Sequence, residues 1–351
     1  MKILVTGGFG IVGREVVRNL VQRGEEVRVF DRPSRRAARA VRSLLGRCSD
    51  PRVEISFGNL LNIADVTEAV RGVDAVIHLA AVIPPLADRR PQLAEQVNVL
   101  GTENLVRALE KLPDSPRLIY TSSIAVYGDR VENPFIRVDD PPRPNEDDFY
   151  AQQKLRCEKI VRASSLKWTI PRLTYIVSPD KLAMDPIMFE MPLKTSLEIC
   201  RAEDAASALV DVLFTDALNG SVWHLAGGET CRMSYRTYLN RMMEAFGLGC
   251  WTPPEESFST RGFHCGFMDT ASSEGLLGYQ IHIGEDYFRE VYRRYRVGRF
   301  FIRLVRPAVR WYVLARSPYY WRYLKGFGRR WGYRSRCVLR ALFGGGPPLT
   351  A

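Results

Sequence analysis

A glycine spacing near the start of the chain limits its fold more than any other feature. In Val5-Thr6-Gly7-Gly8-Phe9-Gly10-Ile11-Val12-Gly13, glycines stand at 7, 10 and 13, after the apolar run Lys2–Thr6 and before the amphipathic stretch Ile11–Arg23. A strand that turns this tightly into a helix needs residues without Cβ. Gly7 permits the turn, Gly10 lets a ligand approach the backbone, and Gly13 lets the helix pack on the sheet. The helix N-terminus then offers free N–H groups and a positive dipole end to an anion, and a dinucleotide pyrophosphate suits that geometry. Phe9 and Ile11 are expected beside it. Asp31 closes the next apolar run, eighteen residues past Gly13, where a carboxylate bonds ribose hydroxyls and repels a 2′-phosphate. This favours NAD. Arg32, with Arg35, Arg36 and Arg39 close behind, leaves NADP open.

The alternation continues to about residue 180. Strands are predicted at Lys2–Thr6, Glu26–Asp31, Val53–Phe57, Ala75–Leu79, Arg117–Ser122 and Trp168–Leu173, and helices at Ile11–Arg23, Asn62–Val70, Gln92–Lys111 and Phe149–Ser165. Short apolar strands separated by helices imply parallel crossovers, and hence a doubly wound α/β sheet of Rossmann type over residues 1–179. From Ser178 a Pro- and Met-rich stretch breaks the pattern. A strand near Ser196–Cys200, a helix at Ala202–Phe214, a strand at Val222–Ala226 and a helix at Ser234–Phe246 follow. Residues 180–286 are therefore expected to form a smaller substrate lobe, and 287–351 a basic, aromatic-rich helical tail.

The tail stands out by charge. The chain carries +11 overall, yet residues 287–351 hold sixteen Arg or Lys against the single acid Glu290, so the remainder is acidic. Arginines at 299, 303, 306 and 310 fall on one helical face, with Phe300, Phe301, Leu304, Trp311 and Leu314 between them. Such a segment, 297–317, suits an anionic membrane surface. Docking on the chain's own lobe, or on a second subunit in a homodimer, is the competing expectation. Pro307 is expected to kink or split the helix. Nucleic acid finds no recognised motif here. No apolar run is long enough to span a bilayer. The N-terminus enters a strand at once and does not read as a signal peptide. The seven scattered cysteines include no CxxC pair, so neither a disulfide framework nor a metal site is indicated, and a cytoplasmic setting is expected.

Tyr150 and Lys154 lie four apart, one above the other on a predicted helix. A free phenol, with a pKa of about 10, is a poor base near neutrality, and an ammonium beside it favours the phenolate. Such a tyrosine can exchange a proton with a substrate hydroxyl.

Several ordered segments carry a family resemblance: Thr6–Gly13, Gly58-Asn59-Leu60, His78-Leu79-Ala80-Ala81, Asn98-Val99-Leu100-Gly101-Thr102, Thr121-Ser122-Ser123, and Tyr150-Ala151-Gln152-Gln153-Lys154. Together they resemble the extended short-chain dehydrogenases/reductases, a superfamily that includes nucleotide-sugar epimerases and 3β-hydroxysteroid dehydrogenases. The likeness covers about residues 1–245. It implies catalysis by Ser123, Tyr150 and Lys154. Cofactor contacts are implied at Gly7, Phe9, Gly10, Ile11, Gly13, Asp31, Arg32, Asn59, Leu60, Leu79, Ala80, Ala81 and Asn98, with Tyr150 and Lys154 as well. Asn59 replaces the family's acid, keeping a hydrogen bond without the charge. Ser123 is implied to hold the substrate oxygen, and Lys154 to grip the nicotinamide ribose. Asp204 resembles a family aspartate that ties two lobes together.

Departures from the pattern narrow the function. Ile124-Ala125 stand where sugar-nucleotide dehydratases carry Asp-Glu, and neither side chain moves a proton. Arg172-Leu173-Thr174-Tyr175-Ile176-Val177-Ser178-Pro179 lacks the Asn and Gly of the epimerase segment Arg-x-x-Asn-x-x-Gly-Pro. Met184, Ile187, Met188, Phe189, Met191 and Pro192 make the start of the small lobe apolar, either as a lining or as packing. The expectation is an NAD(P)-dependent oxidoreductase interconverting a secondary alcohol and a ketone on a sterol-like or lipid-like molecule. A nucleotide-sugar 4-epimerase and a non-catalytic NAD(P)H-binding subunit are the alternatives. His78 and His224 are expected to be structural, and His264 and His282 show no metal-ligand spacing.

Overall fold

A computed structural model describes residues 1–34, 37, 50–180 and 185–325. Arg35, Arg36, Arg39, Met184 and the tail beyond Lys325 lie outside the described residues. Seven strands form the main sheet: β1 (Lys2–Thr6), β2 (Glu26–Asp31), β3 (Val53–Phe57), β4 (Ala75–His78), β5 (Arg117–Tyr120), β6 (Trp168–Leu173) and β7 (Val222–Leu225). Their order is β3-β2-β1-β4-β5-β6-β7, and every neighbouring pair is parallel. The short strand Ser122–Ser123 pairs alongside β6. The chain winds outward from β1 to β3, then returns to β4 on the other side of β1. That reversal opens a crevice at the carboxyl ends of β1 and β4, the place where doubly wound sheets bind ligands.

Apolar runs make this sheet because both of its faces are covered. Val16, Val17 and Leu20 of α1 (Ile11–Gln22) pack on one face with Ile3, Val5 and Ile77. Helices α2 (Ile63–Ala69), α3 (Gly101–Glu110) and α4 (Phe149–Ala163) cover the other through Val66, Leu105, Cys157 and Val161. The expected single helix over Gln92–Lys111 is a composite. A short helix, Pro91–Glu95, passes through a π turn at Gln96–Leu100 before α3. The extra residue of a π turn shifts the helical register, a distortion common at functional sites, and Asn98 sits within it.

Residues 202–225, expected in the small lobe, return to the nucleotide-binding core. Helix α5 (Ala202–Asp211) packs beside α1 through Ala205, Ala206 and Leu209, and β7 extends the main sheet. The strand beyond β6 needs a partner edge, and the alternating Val222-Trp223-His224-Leu225 supplies it. The small lobe has its own sheet of Tyr175–Val177, Ser196–Arg201 and Arg232–Ser234, with α6 (Tyr235–Phe246) and α7 (Gly284–Arg294) against it. Phe189 and Met191 are buried in that lobe's core beside Tyr235 and Leu239, so they pack the lobe and line nothing.

The tail is part of this lobe. Tyr287, Phe288 and Val291 of α7 enter its core, so the expected boundary at 287 falls inside a packed helix. Two more helices follow, α8 (Arg296–Leu304) and α9 (Arg306–Ala315), broken at Val305 with Pro307 in the first turn of α9. Val313 is fully buried, and Ser317 donates to the Ser257 carbonyl at 2.6 Å. The arginine stripe does not face outward as a unit. Arg306 and Arg310 donate to the Gly247 and Leu248 carbonyls at 3.1 and 2.6 Å, closing the C-terminus of α6, and Arg299 donates to the Tyr292 carbonyl. The reason is that unpaired carbonyls at a helix end draw guanidinium donors more strongly than solvent does. The aromatic side turns outward instead.

This arrangement separates neighbouring residues by their effect on stability. Val313→Ala removes two buried methyl groups and is expected to cost about 2 kcal/mol in urea unfolding. Trp311→Ala, two residues away and exposed, should change it by less than about 0.5 kcal/mol. Equal losses would contradict the docked tail.

Candidate active site

The glycine turn lies in the crevice. Gly7 takes a left-handed φ of +70°, and a Cβ on it would stand 2.8 Å from the Ala80 backbone nitrogen. A Cβ on Gly13 would strike the Gly7 carbonyl oxygen at 2.4 Å. These contacts bring the turn after β1 against Leu79, Ala80 and Ala81 after β4, where Ala80 N–H donates to Thr6 Oγ1 at 3.3 Å. Gly10 caps α1 with no side-chain partner, so the first amides of the helix stay free for an anion. Asp31 stands at the end of β2 with its carboxylate fixed by the amides of Phe9 (3.1 Å) and Arg32 (2.8 Å). Free amides beside a held carboxylate fit a dinucleotide's pyrophosphate and ribose. Phe9 contributes through its backbone, since its ring is buried near Phe57.

Three of the expected contact residues have their side chains engaged within the protein. Asn59 Oδ1 accepts from Leu61 N–H, while Leu60 packs under Gly101. The Asn98 amide accepts from Val82 N–H at 2.7 Å and donates to the Val82 carbonyl and to Gln153 Oε1. Asn98 thereby ties the loop after β4 to the catalytic helix.

Ser123, Tyr150 and Lys154 come together on the β5 side of this crevice. Asp148 caps α4 by accepting from Ala151 N–H at 2.9 Å, which places Tyr150 in the first turn and Lys154 one turn on. Ser123 lies in the short strand beyond β5, and its hydroxyl bonds the Tyr150 phenol. Lys154 Nζ donates to the Thr121 carbonyl at 2.7 Å and lies 5.8 Å from the Tyr150 ring centroid. Part of the Tyr150 ring is exposed, but its hydroxyl is desolvated. Burial pushes the phenol above its ordinary value, and the Ser123 bond opposes that rise. Burial likewise brings the Lys154 ammonium down to about 8, against the pull of Cys157 and Glu158. In the protein by itself, desolvation is the largest influence on the phenol.

Behind the site runs a buried polar network that the sequence reading missed. Glu158, one turn past Lys154, accepts from Ser122 Oγ at 2.6 Å and from Arg172 at 2.9 and 2.8 Å. Arg172 also donates to the Tyr127 hydroxyl, which bonds His224 Nε2, both at 2.6 Å. His224 Nδ1 meets the Asp269 carbonyl oxygen at 3.0 Å. Burial drives His224 down to about 4, so the ring is neutral. A neutral ring donates through Nδ1 and accepts the Tyr127 proton at Nε2. The available signal was Glu158 standing four residues from Lys154 on the same helix. His78 is structural, bonded to Thr6 and Thr102, and burial lowers it to about 3. His264 pairs with Asp148 at 2.5 Å across the two lobes, and Asp204 with His282 at 2.6 Å.

A Rossmann sheet with an ordered Ser-Tyr-Lys constellation at its switch point defines the class of nicotinamide-dependent short-chain dehydrogenases/reductases. A family model described as the NAD dependent epimerase/dehydratase family matches residues 3–191, and the chain belongs to that family. A 3-beta-hydroxysteroid dehydrogenase of Mycolicibacterium neoaurum is 35% identical over 168 residues, covering 46% of this chain and 42% of that protein. The match thus spans less than half the length of that relative. A sterol-4-alpha-carboxylate 3-dehydrogenase (decarboxylating) of Bos taurus is 26% identical over 261 residues, covering 68% of each. In fold, the chain is similar to the UDP-glucuronic acid 4-epimerase of Bacillus cereus, with a TM-score of 0.71 at 20% identity over 84% of this chain and 99% of that one.

The neutral histidines set an acid limit on stability. A ring whose pKa is lower folded than unfolded loses stability as pH falls below the unfolded value of about 6.5, at up to about 1.4 kcal/mol per pH unit. For His224 the loss continues to about pH 4. His224→Gln should flatten the fall in unfolding free energy between those values by roughly that slope. An unchanged slope would mean that His224 is charged in the fold.

Proposed function

We propose that the enzyme interconverts a secondary alcohol and a ketone on a hydrophobic, sterol-like or lipid-like molecule. The observation that carries this reading is the gathering of Ser123, Tyr150 and Lys154 at the switch point with Ile124 and Ala125 directly after the serine. The site holds the proton-transfer group for a hydroxyl and none placed to move a proton on carbon. When bound, the nicotinamide supplies the hydride acceptor or donor. Ser123 holds the alcohol oxygen. Tyr150 takes the hydroxyl proton in oxidation and returns it in reduction, and the Lys154 charge offsets the desolvation of the phenolate. Lys154 also grips the ribose, while the amides after Gly10 take the pyrophosphate and Asp31 takes the adenosine ribose in preference to a 2′-phosphate.

The loop after Ala81 supports an apolar substrate. It carries Ile83 and Leu86 at 44% and 46% exposure. The names of the sterol and steroid dehydrogenase relatives point the same way. On this reading the enzyme is cytoplasmic and peripheral on a membrane. A nucleotide-sugar 4-epimerase would use the same proton transfer, and a screen of steroid alcohols beside UDP-sugars separates the two.

Tyr150→Phe should lower kcat by about 10²–10⁴-fold, with NADH affinity nearly intact, and Lys154→Ala should weaken both. Near wild-type turnover in Tyr150→Phe would remove the mechanism. Asp31→Ala should narrow or reverse the preference for NAD over NADP in calorimetric titrations. A clear NADP preference in the unmodified enzyme would overturn the role given to Asp31.

A further inference from the structure

We infer that α8 and α9 form a rigid interfacial platform that seats the enzyme on an anionic lipid bilayer, beside the mouth of the active site. The inference deepens the proposed function and rests on its apolar substrate. Phe300, Phe301, Leu304, Val305, Trp311 and Tyr312 are each more than half exposed and lie on two consecutive helices. A soluble surface rarely gathers so many large apolar side chains in one patch without a partner. The other sides of these helices meet the small lobe through Ile302 on α8, through Arg306, Arg310 and Val313 on α9, and through Ser317 just beyond it. The patch is therefore held outward by packing on its reverse side.

Charge selects the occupant. Residues 291–325 contain ten Arg or Lys and no Asp or Glu. Arg294 pairs with Asp180, whereas the carbonyl partners of Arg299, Arg306 and Arg310 neutralise nothing. Exposed Arg303, Arg316 and Arg322 flank the apolar patch at the level where headgroup phosphates lie when aromatic and aliphatic side chains enter the acyl boundary. A second copy of the same face would bring two positive surfaces together, so self-association is the weaker fit. Among the described residues no helix is long and apolar enough to cross a membrane, so the contact is interfacial.

Position links this face to the substrate. Val313 and Arg316 pack beside Asp185, Met188 and Phe189, and Asp185 pairs with Arg89 of the segment after β4 at 3.3 Å. The platform thus adjoins the segment that joins the small lobe to the cofactor crevice.

The test is co-sedimentation of the full chain with vesicles of phosphatidylcholine, alone or with phosphatidylglycerol added. Binding should be roughly tenfold or more stronger to the anionic vesicles, and should fall several-fold as salt rises from about 0.1 to 0.5 M without vanishing. A variant carrying Phe300→Ser, Phe301→Ser, Leu304→Ser and Trp311→Ser should lose roughly tenfold or more of the binding, with NAD affinity and melting temperature retained. Protein left in the supernatant with anionic vesicles at low salt would overturn the inference. So would undiminished binding by the variant, a dimer in sedimentation that the same substitutions dissociate, or tighter binding to duplex DNA than to vesicles. Turnover of a detergent-dispersed steroid alcohol without vesicles reads the proposed function separately. Activity without lipid binding removes only the platform, and lipid binding without activity removes only the substrate reading.

Discussion

The buried pair of Glu158 and Arg172 is the interaction on which the active site depends. It joins the helix that carries Tyr150 and Lys154 to the carboxyl end of β6, and through Ser122 it reaches the strand that carries Ser123. Side chains alternate along a strand, so Ser122 turns toward the ion pair while Ser123 turns away from it. Burying two charges costs several kcal/mol in desolvation, which the bidentate geometry and the added bonds from Ser122 and to Tyr127 offset. What the pair secures is register. A helix free to slide by a fraction of a turn would carry Tyr150 away from Ser123, and proton transfer requires hydrogen-bond distance. The network then continues through Tyr127 and His224 to Asp269, coupling this register to the far side of the sheet.

The elements that position the cofactor were legible in the sequence because each rests on local rules. A glycine turn between an apolar run and an amphipathic one admits few structures, and Asp31 follows at a spacing fixed by one helix and one strand. Tyr150 and Lys154 were legible for the same reason, since helical periodicity alone stacks residues four apart. Partners distant in sequence were not legible. Glu158 reads as a surface charge until β6 brings Arg172 to it, and Tyr127 reads as one more apolar position until His224 meets its hydroxyl. Asn98 was expected at the cofactor, yet the π turn points its amide into the protein, and no periodicity argument foresees an extra residue in a helix. The return of residues 202–225 to the main sheet was hidden likewise, because a strand's sheet is chosen by its neighbours and not by its own pattern.

The tail shows that a helical pattern does not by itself say which side faces the protein. Arginines at helical spacing do form a stripe, but α6 ends in unpaired carbonyls and claims two of them. The aromatic side, which a soluble protein ordinarily turns inward, is left facing out. Seating the basic side inward adds stability to the small lobe and fixes the geometry of the exposed face in one step. The excess of positive charge belongs to this construction, since residues 1–286 together hold 34 Arg or Lys against 38 Asp or Glu.

The central claim is that the Ser-Tyr-Lys site moves a hydride between a carbinol carbon of an apolar alcohol and the nicotinamide. Incubation of the enzyme and NAD with a steroid alcohol deuterated at its carbinol carbon, followed by mass spectrometry of the recovered cofactor, tests it directly. The account predicts one deuterium in the reduced nicotinamide and a ketone product that has lost it. Unlabelled cofactor and unchanged steroid alcohol, beside efficient inversion at a carbinol carbon of a UDP-sugar under the same conditions, would contradict it.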